Sequence, residues 1–489
     1  MKSNLIFKGI VFMFLLATFA CKKDNKILSD KSALLKFSED TIIFDTVFTS
    51  VGTITHTLKI YNTFKQTLNI SSISLAGGKS SNFRLNIDGA KSITATDIEI
   101  APNDSFYIFV AATIDPNNGT TPLIVTDSIV FDFNGKKQDV DLVAWGQNAH
   151  YIKATTKLNQ NIKYSIIAGE NENITLLTDK PYVIYGYAVV DSAGCLTIPA
   201  GTKLHFHNKS GLWVYRYGCL NVEGTKDNPV IFQGDRLDYM YRDQPNQWDR
   251  ILLNEHTNTK INYAKILNGF IGIQTDLLFD AGLNDSKLKI TNTVIANMNV
   301  AGIFAKFFDI EGYNNLIYNT GGPCLALTYG GKYSFRNSTF ASFWEYPARK
   351  ESAIILNNYS GLPQYFPLEK AYFGNCIVMG NQKSEVTIDK CKSCSETFNY
   401  EFNHCLIKSD NTLDFSNTNF VTSIQFDKDA TSSSNCVFKD YTKNDYHLIE
   451  NSAAIGIGSD LNIIEVPNEK TDLDAVQRKS PPSVGCYEY

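Results

Sequence analysis

The amino-acid sequence predicts an all-β chain in two parts, an N-terminal β-sandwich followed by a parallel β-helix. Three observations lead there. Lys and Arg number only 45 among 489 residues, while aromatics reach 12% and Thr, Ser, Asn, Val and Ile abound, a balance that suits strands and polar turns. Residues 33–148 fall into short alternating segments separated by turn residues. Residues 150–489 carry a six-residue pattern that returns again and again, as solenoid repeats do. The net charge of −5 offers no basic face, so no nucleic-acid partner is expected.

The chain opens on Lys2 and Lys8, then an apolar run from Gly9 to Ala17, then Thr18-Phe19-Ala20-Cys21. The run is too short to cross a bilayer core of roughly 30 Å, and residues 1–20 read as a cleaved signal peptide. Ala20 before Cys21 resembles the bacterial lipobox, with Thr18 where Leu is usual. The resemblance implies that Cys21 is lipidated and starts the mature chain. Residues 21–32, with Lys22-Lys23-Asp24-Asn25-Lys26, cannot bury apolar area and are expected to form a flexible tether. A charged run in this place is similar to surface-export signals of Bacteroidetes lipoproteins. That implies an outer-membrane protein on the cell surface, with membrane lipid as its partner through Cys21.

The sandwich segments include Thr41-Ile42-Ile43-Phe44, Leu58-Lys59-Ile60, Phe106-Tyr107-Ile108-Phe109-Val110 and Ser128-Ile129-Val130-Phe131. Turn signals stand between them, among them Gly77-Gly78 and Asn134-Gly135. The latter suits a tight hairpin whose two central residues need positive φ. About seven to eight strands at this spacing make a sandwich. Phe44-Asp45-Thr46-Val47-Phe48-Thr49-Ser50, Ile60-Tyr61-Asn62 and Asp127-Ser128-Ile129-Val130-Phe131 resemble an immunoglobulin-like module of Bacteroidetes lipoproteins. With no Cys between 22 and 194 there is no inter-sheet disulfide, and the expected role is spacing or protein contact.

The repeat reads apolar, any, polar or Asn, small, any, apolar. Copies are Ile261–Ile266, Ile290–Ile295, Phe335–Phe340, Phe373–Val378, Phe402–Ile407 and Ser433–Phe438, with a degenerate copy at Asn314–Ile317. The small position and the position two later share a strand face. The latter is Ile266, Ile295, Phe340, Val378, Ile407 and Phe438, all apolar, so this face points into a core. Such a strand cannot bury its apolar face alone; stacking neighbours makes one continuous core. Cys376, Cys405 and Cys436 should then form one inward column of buried thiols.

Leu196 to Asp235 and the tail from Asp445 to Tyr489 resemble the opening coils and end sequence of right-handed parallel β-helix lipoproteins in the pectate-lyase-like superfamily, with Gly456 and Cys486 where Asp and Ala are usual. The resemblance covers most of residues 150–489 and implies about 12 coils. Residues 150–190 are expected to cap the solenoid at its start and residues 440–489 to close the other end.

The stretch Asp235 to Arg250 is too long and polar for a tight turn and should project as a loop. Trp213 and Tyr215 have the parity opposite to Leu212 and Val214 and should face outward near it. The candidate ligand-binding residues are therefore Trp213, Tyr215, Asp235, Arg236, Tyr239, Tyr241, Asp243 and Trp248. Rings beside Asp and Arg provide stacking and paired hydrogen bonds for a sugar. In the opposing reading, Trp248 packs the loop down and its charges pair among themselves. His205 and His207, or Cys391, Cys394, His404 and Cys405, lack converging ligands for a metal. Cys391 could bridge Cys394 or Cys324. No metal, cofactor or catalytic residue is expected.

Three functions remain open: a non-catalytic binder of glycan or another surface component, a polysaccharide lyase or glycoside hydrolase on acidic polysaccharide, and an adhesin or spacer. Only the lyase would require Ca²⁺. Acids in a row across adjacent coils would favour the enzyme, and exposed aromatics without such a row would favour the binder.

Overall fold

The computed structural model describes residues 26–49, 52–53, 55–114, 123–276, 286–345, 348–359, 366–410, 412–426, 437–464 and 470–489. The leader, Cys21, the first residues of the tether and Cys436 lie outside the described residues. The chain divides into two compact units, Met1–Asn148 and Ala149–Tyr489.

The first unit is a sandwich of two five-stranded sheets. One runs in the order Lys36–Phe37, His56–Tyr61, Ser105–Ala112, Phe83–Ile87, Ala90–Lys91. The other runs Thr41–Phe48, Lys136–Gln147, Leu123–Phe133, Leu68–Leu75, Thr94–Ile100. Neighbours are antiparallel except Thr41–Phe48, which lies parallel to Lys136–Gln147. Alternation puts Leu58, Ile60, Ile108 and Val110 inside with Phe44, Phe83 and Phe131, and turns Tyr107 and Phe109 outward. Asn134 and Gly135 take φ of 52° and 76°, the positive pair that the hairpin demands.

The second unit is a parallel β-helix of three sheets with 11, 10 and 10 strands. One turn shows the winding. Cys195–Pro199 lies in the third sheet, Lys203–Phe206 in the first, Gly211–Val214 in the second, and Cys219–Glu223 returns to the third. Like residues stack from coil to coil. Leu212, Ile251, Ile273, Ile303, Leu325, Ile354 and Val386 form one register column, buried throughout. Phe335, Phe373, Phe402 and Phe420 form another, with near-parallel rings 4.6 to 5.9 Å apart.

The six-residue repeat straddles the corner between the third and first sheets rather than lying in one strand. Its polar position is the corner residue and adopts the left-handed conformation, as at Asn292 (φ 50°), Asn314 (52°), Asn337 (45°) and Asn375 (52°). Asparagine tolerates this region better than most residues, because its short side chain bonds locally. These side chains also join coil to coil, Asn314 Nδ2 donating to Asn292 Oδ1 (3.1 Å) and Asn375 Nδ2 to Asn337 Oδ1 (3.1 Å). A second asparagine ladder, Asn268–Asn297–Asn319, runs up the far end of the first-sheet strands.

The small position is inward and buried, as expected, and it is also a hydrogen-bond ladder. Thr293 N donates to Asn315 Oδ1, Asn315 N to Ser338 Oγ, and Cys376 N to Cys405 Sγ at 3.4 Å. The column continues through Ser423, whose Oγ accepts from Cys405 N. The last coil among the described residues is therefore Val421–Phe426, which the sequence reading passed over. Phe438, the final position of the Ser433–Phe438 copy, pairs antiparallel with Leu448 in the tail.

Residues 150–190 begin the solenoid, with His150–Lys153, Lys163–Ala168 and Asn173–Thr175 pairing in parallel with the next coil. One further expectation is corrected. The tail does not close the end of the solenoid but lies along its flank. The outer row Leu316, Thr339, Ile377, Leu406 of the first sheet is buried beneath Tyr446, Leu473, Val484 and Cys486. Cys486 N donates to Thr339 Oγ1 and Gly485 N to Asn375 O.

Candidate functional site: a loop-built pocket at a corner of the β-helix

Residues 235–250 leave the first sheet after Val230–Gly234 and enter the second at Ile251–Asn254. Trp248 anchors them. It is 1% exposed, its ring lies 4.6 Å from Phe206, and its Nε1 donates to Leu267 O at 2.7 Å. Gly269 packs closely beside it, and a Cβ there would come within 3.1 Å of the indole and of Met298 Sδ. Trp248 is thus core, and its ring is withdrawn from any ligand.

The rest of the loop is tied to the second asparagine ladder. Asn268 Nδ2 donates to Arg242 O at 2.8 Å, and Asn297 Nδ2 to Asp243 Oδ1 at 3.3 Å. Gln247 Nε2 holds Tyr241 O and Gln244 O. A short 3-10 turn, Tyr239–Tyr241, shapes the crest.

Beneath this crest is a pocket of about 620 Å³ walled by His207, Asp235, Arg236, Tyr241, Gln244 and Gln247. Asp235 Oδ2 lies 2.7 Å from His207 Nδ1, and the His207 ring packs on Tyr185 at 4.7 Å. The hydrogen bond that the imidazole donates to Asp235 raises its pKa above the ordinary value, against the opposing effect of burial. The Arg236 guanidinium sits 4.6 Å over the Tyr241 ring. Gln247 Oε1 is buried with no hydrogen-bond partner among the described residues. Gly234 leaves room for it, as a Cβ there would lie 2.3 Å away. A smaller pocket of about 420 Å³ shares Gln244 and Pro245 and is bounded by Trp344, Glu345 and Tyr441.

Of the residues singled out from the sequence, the pocket brings together Asp235, Arg236 and Tyr241. Tyr239 is 78% exposed, with Arg242 over its ring, and does not line the pocket; Asp243 belongs to the asparagine ladder. Trp213 and Tyr215 stand on the outer face of the second sheet, edge to face at 5.7 Å, and Trp213 Nε1 donates to Asn254 Oδ1. On that face Tyr187 donates to Asp249, Asp249 pairs with Arg250 at 2.7 Å, and Arg250 reaches Gln274 and the Phe270 ring. The loop's charges therefore pair in part among themselves, as the opposing reading had it. Sequence reasoning missed Gln247 and the role of His207. The position of His207 just past an inward-outward strand was the available signal.

His205 lies on the outer face, opposite in parity to the inward Leu204 and Phe206, yet is buried there, with Nδ1 3.2 Å from Gly234 O, and burial pushes its pKa down to about 4. Among the described residues no group of three or more His, Cys, Asp or Glu is placed to hold a metal. Cys391 bridges Cys394, which removes both from any zinc set. Cys195 and Cys219, register partners on adjacent coils, form a second bridge that sequence reasoning, which considered a bridge only at Cys391, did not foresee. Cys324, Cys376, Cys405 and Cys486 are free and buried. Among the described residues no register pair on neighbouring coils joins two carboxylates; Glu223, Asp276, Asp309, Glu311, Asp389 and Glu401 face other residue types.

Fold and site define an all-β protein with a parallel β-helix bearing a polar, aromatic pocket at one corner. No family model and no curated protein matches the chain. Among solved structures it is similar to the catalytic domain of a family 87 α-1,3-glucanase in complex with nigerose, at 11% identity and TM-score 0.21 over 73% of this chain and 81% of that one. It is similar also to a family 123 glycoside hydrolase from Clostridium perfringens, at 14% identity and TM-score 0.17. That match covers 23% of this chain and spans 26% of the hydrolase. A PapD-like domain of human CEP192 matches at 10% identity and TM-score 0.16, over 26% of this chain and 92% of that domain.

Proposed function

We propose that this protein is a glycan-binding β-helix displayed on the outer membrane through a lipid on Cys21. The observation that carries the reading is the convergence of an Asp–His pair, an arginine and a tyrosine ring on one pocket. A sugar presents ring faces for stacking and vicinal hydroxyls that give and take hydrogen bonds. The volume lies within the usual range of small-ligand pockets. The absence of opposed carboxylates on neighbouring coils, among the described residues, favours binding over cleavage, since hydrolysis of a glycosidic bond generally needs two acids across the bond.

The test is a panel of plant and host glycans presented to the full chain, reading binding and product release together. Tyr241→Ala and Asp235→Asn are expected to weaken binding of any retained glycan by about tenfold each, the worth of one stacking or charged contact. Binding that ignores both variants, or the release of unsaturated or reducing ends, would overturn the reading. Loss of membrane retention and of radiolabelled palmitate in Cys21→Ser would support the anchor, and unchanged retention would remove it.

A further inference from the structure

We propose that the sandwich carries a separate binding site for an amphiphilic anion, an apolar chain ending in a carboxylate. The site is a cavity of about 1030 Å³ between the outer face of Phe83–Ile87 and Ser105–Ala112 and the segment that follows Ala90–Lys91. Leu85, Ile93, Phe109 and Ala111 supply its apolar lining, and Lys79, Arg84 and Lys91 stand around them.

The strand register makes this arrangement a fixed one. Arg84 is the partner of Ala111, and Asn86 lies between Phe109 on one side and Lys91 on the other. A phenyl ring and a methyl group thus stand side by side on one strand, with Arg84 and Lys91 on the two strands to one side of them. Phe109 is 41% exposed and its outward neighbour Tyr107 is 44% exposed, so the apolar surface is open. The Arg84 guanidinium is steered by hydrogen bonds from Nη1 to Ser81 O (2.5 Å) and Phe83 O (2.7 Å). None of the lining residues is a carboxylate, and among the described residues Lys79, Arg84 and Lys91 join no ion pair.

The chemistry selects the ligand class. An apolar lining with a one-signed rim complements a molecule with an apolar body and one anionic head. A sugar would ask for acceptors mixed among the donors, and here the lining offers only Thr55, Asn86 and Ser92 for that. The pocket of the β-helix, by contrast, carries charges of both signs. The two sites therefore differ in ligand, and the glycan reading can fail without touching this one.

The experiment is equilibrium dialysis of radiolabelled decanoate against the full chain, with decanol as the uncharged counterpart. Saturable binding of decanoate is expected, with decanol weaker by about tenfold, the worth of a charge-assisted contact. Lys79→Gln combined with Lys91→Gln, which leaves the backbone contacts of Arg84 in place, is expected to weaken decanoate by about tenfold and leave decanol unchanged. Ala111→Trp should fill the cavity and abolish both, while circular dichroism and the melting temperature report that the sandwich still folds. Absence of saturable decanoate binding, equal affinity for decanol, or binding that survives Ala111→Trp would overturn the proposal. So would tetragalacturonate displacing decanoate at lower concentration than decanoate itself, which would make the site one for acidic sugars.

Discussion

At the scale of single residues, the left-handed corner asparagines carry more than a turn preference. Asn375 is fully buried; its Nδ2 donates to Asn337 Oδ1 and Ser459 O, and its Oδ1 accepts from Ser459 N and from Asn462 Nδ2. Asn375→Ala should destabilise the β-helix by roughly 2–4 kcal/mol, combining a strained φ with buried partners left unpaired. Asn375→Gly relieves the φ and keeps the loss of partners, so urea titration of both variants separates the two contributions. Equal stability of all three chains would show that the ladder contributes nothing. The inward direction of the small position was legible because parity alone decides it. The corner was not, because Asn before a small residue reads equally well as an outward strand position until φ is known.

At the scale of elements, the loop at 235–250 and the tail are each held by features that a sequence shows only in part. The sequence announced the loop through its length and polarity, and Trp248 as one of two readings. What it could not show is that a glycine 21 residues further on, Gly269, pairs with Trp248 and makes room for the indole. The tail had a legible signal that was missed. The residue after the small position is Lys265 in an early coil but Leu316, Ile377 and Leu406 later, and a strand apolar on both faces must be covered on both. One tie of that cover titrates. His447 stacks on Tyr487 at 4.0 Å and bridges Asp445 and Asp474. Burial depresses its pKa, but the hydrogen bonds from Asp474 and Asp445 outweigh this and leave it raised above 6.5. A raised imidazole pKa stabilises the folded form below the unfolded value and loses that contribution as pH climbs through the folded value. Limited proteolysis of the tail should therefore accelerate on going from about pH 6 to pH 8, and His447→Gln should flatten that profile. A profile unchanged by the substitution would refute the role.

At the scale of the whole molecule, a solenoid left to itself is a string of nearest-neighbour contacts. Here the tail adds ties of long sequence separation, Lys226 Nζ to Asp474 O, Arg478 Nη2 to Asn314 Oδ1 (2.7 Å) and Cys486 N to Thr339 Oγ1 (3.0 Å). Removing residues 437–489 should expose Leu316, Ile377 and Leu406, at roughly 1.5–3 kcal/mol each. The truncated chain is expected to melt lower, unfold less cooperatively and aggregate, read by calorimetry and light scattering. A truncated chain that stays monomeric with an unaltered melting point would contradict this. The all-β architecture was legible from alternation and repetition, which act on every strand. The exact partners of the tail were not, because they are contacts between residues more than a hundred positions apart, such as Arg478 with Asn314 and Cys486 with Thr339.

The flank covered by the tail has a consequence for the order of events in the cell. The coils that carry Leu316, Ile377 and Leu406 precede their cover in the chain, so during synthesis they show an open apolar side until residues 437–489 emerge. Maturation is thus gated by that segment, and a nascent chain awaiting it would present carrier proteins with an oily seam to hold.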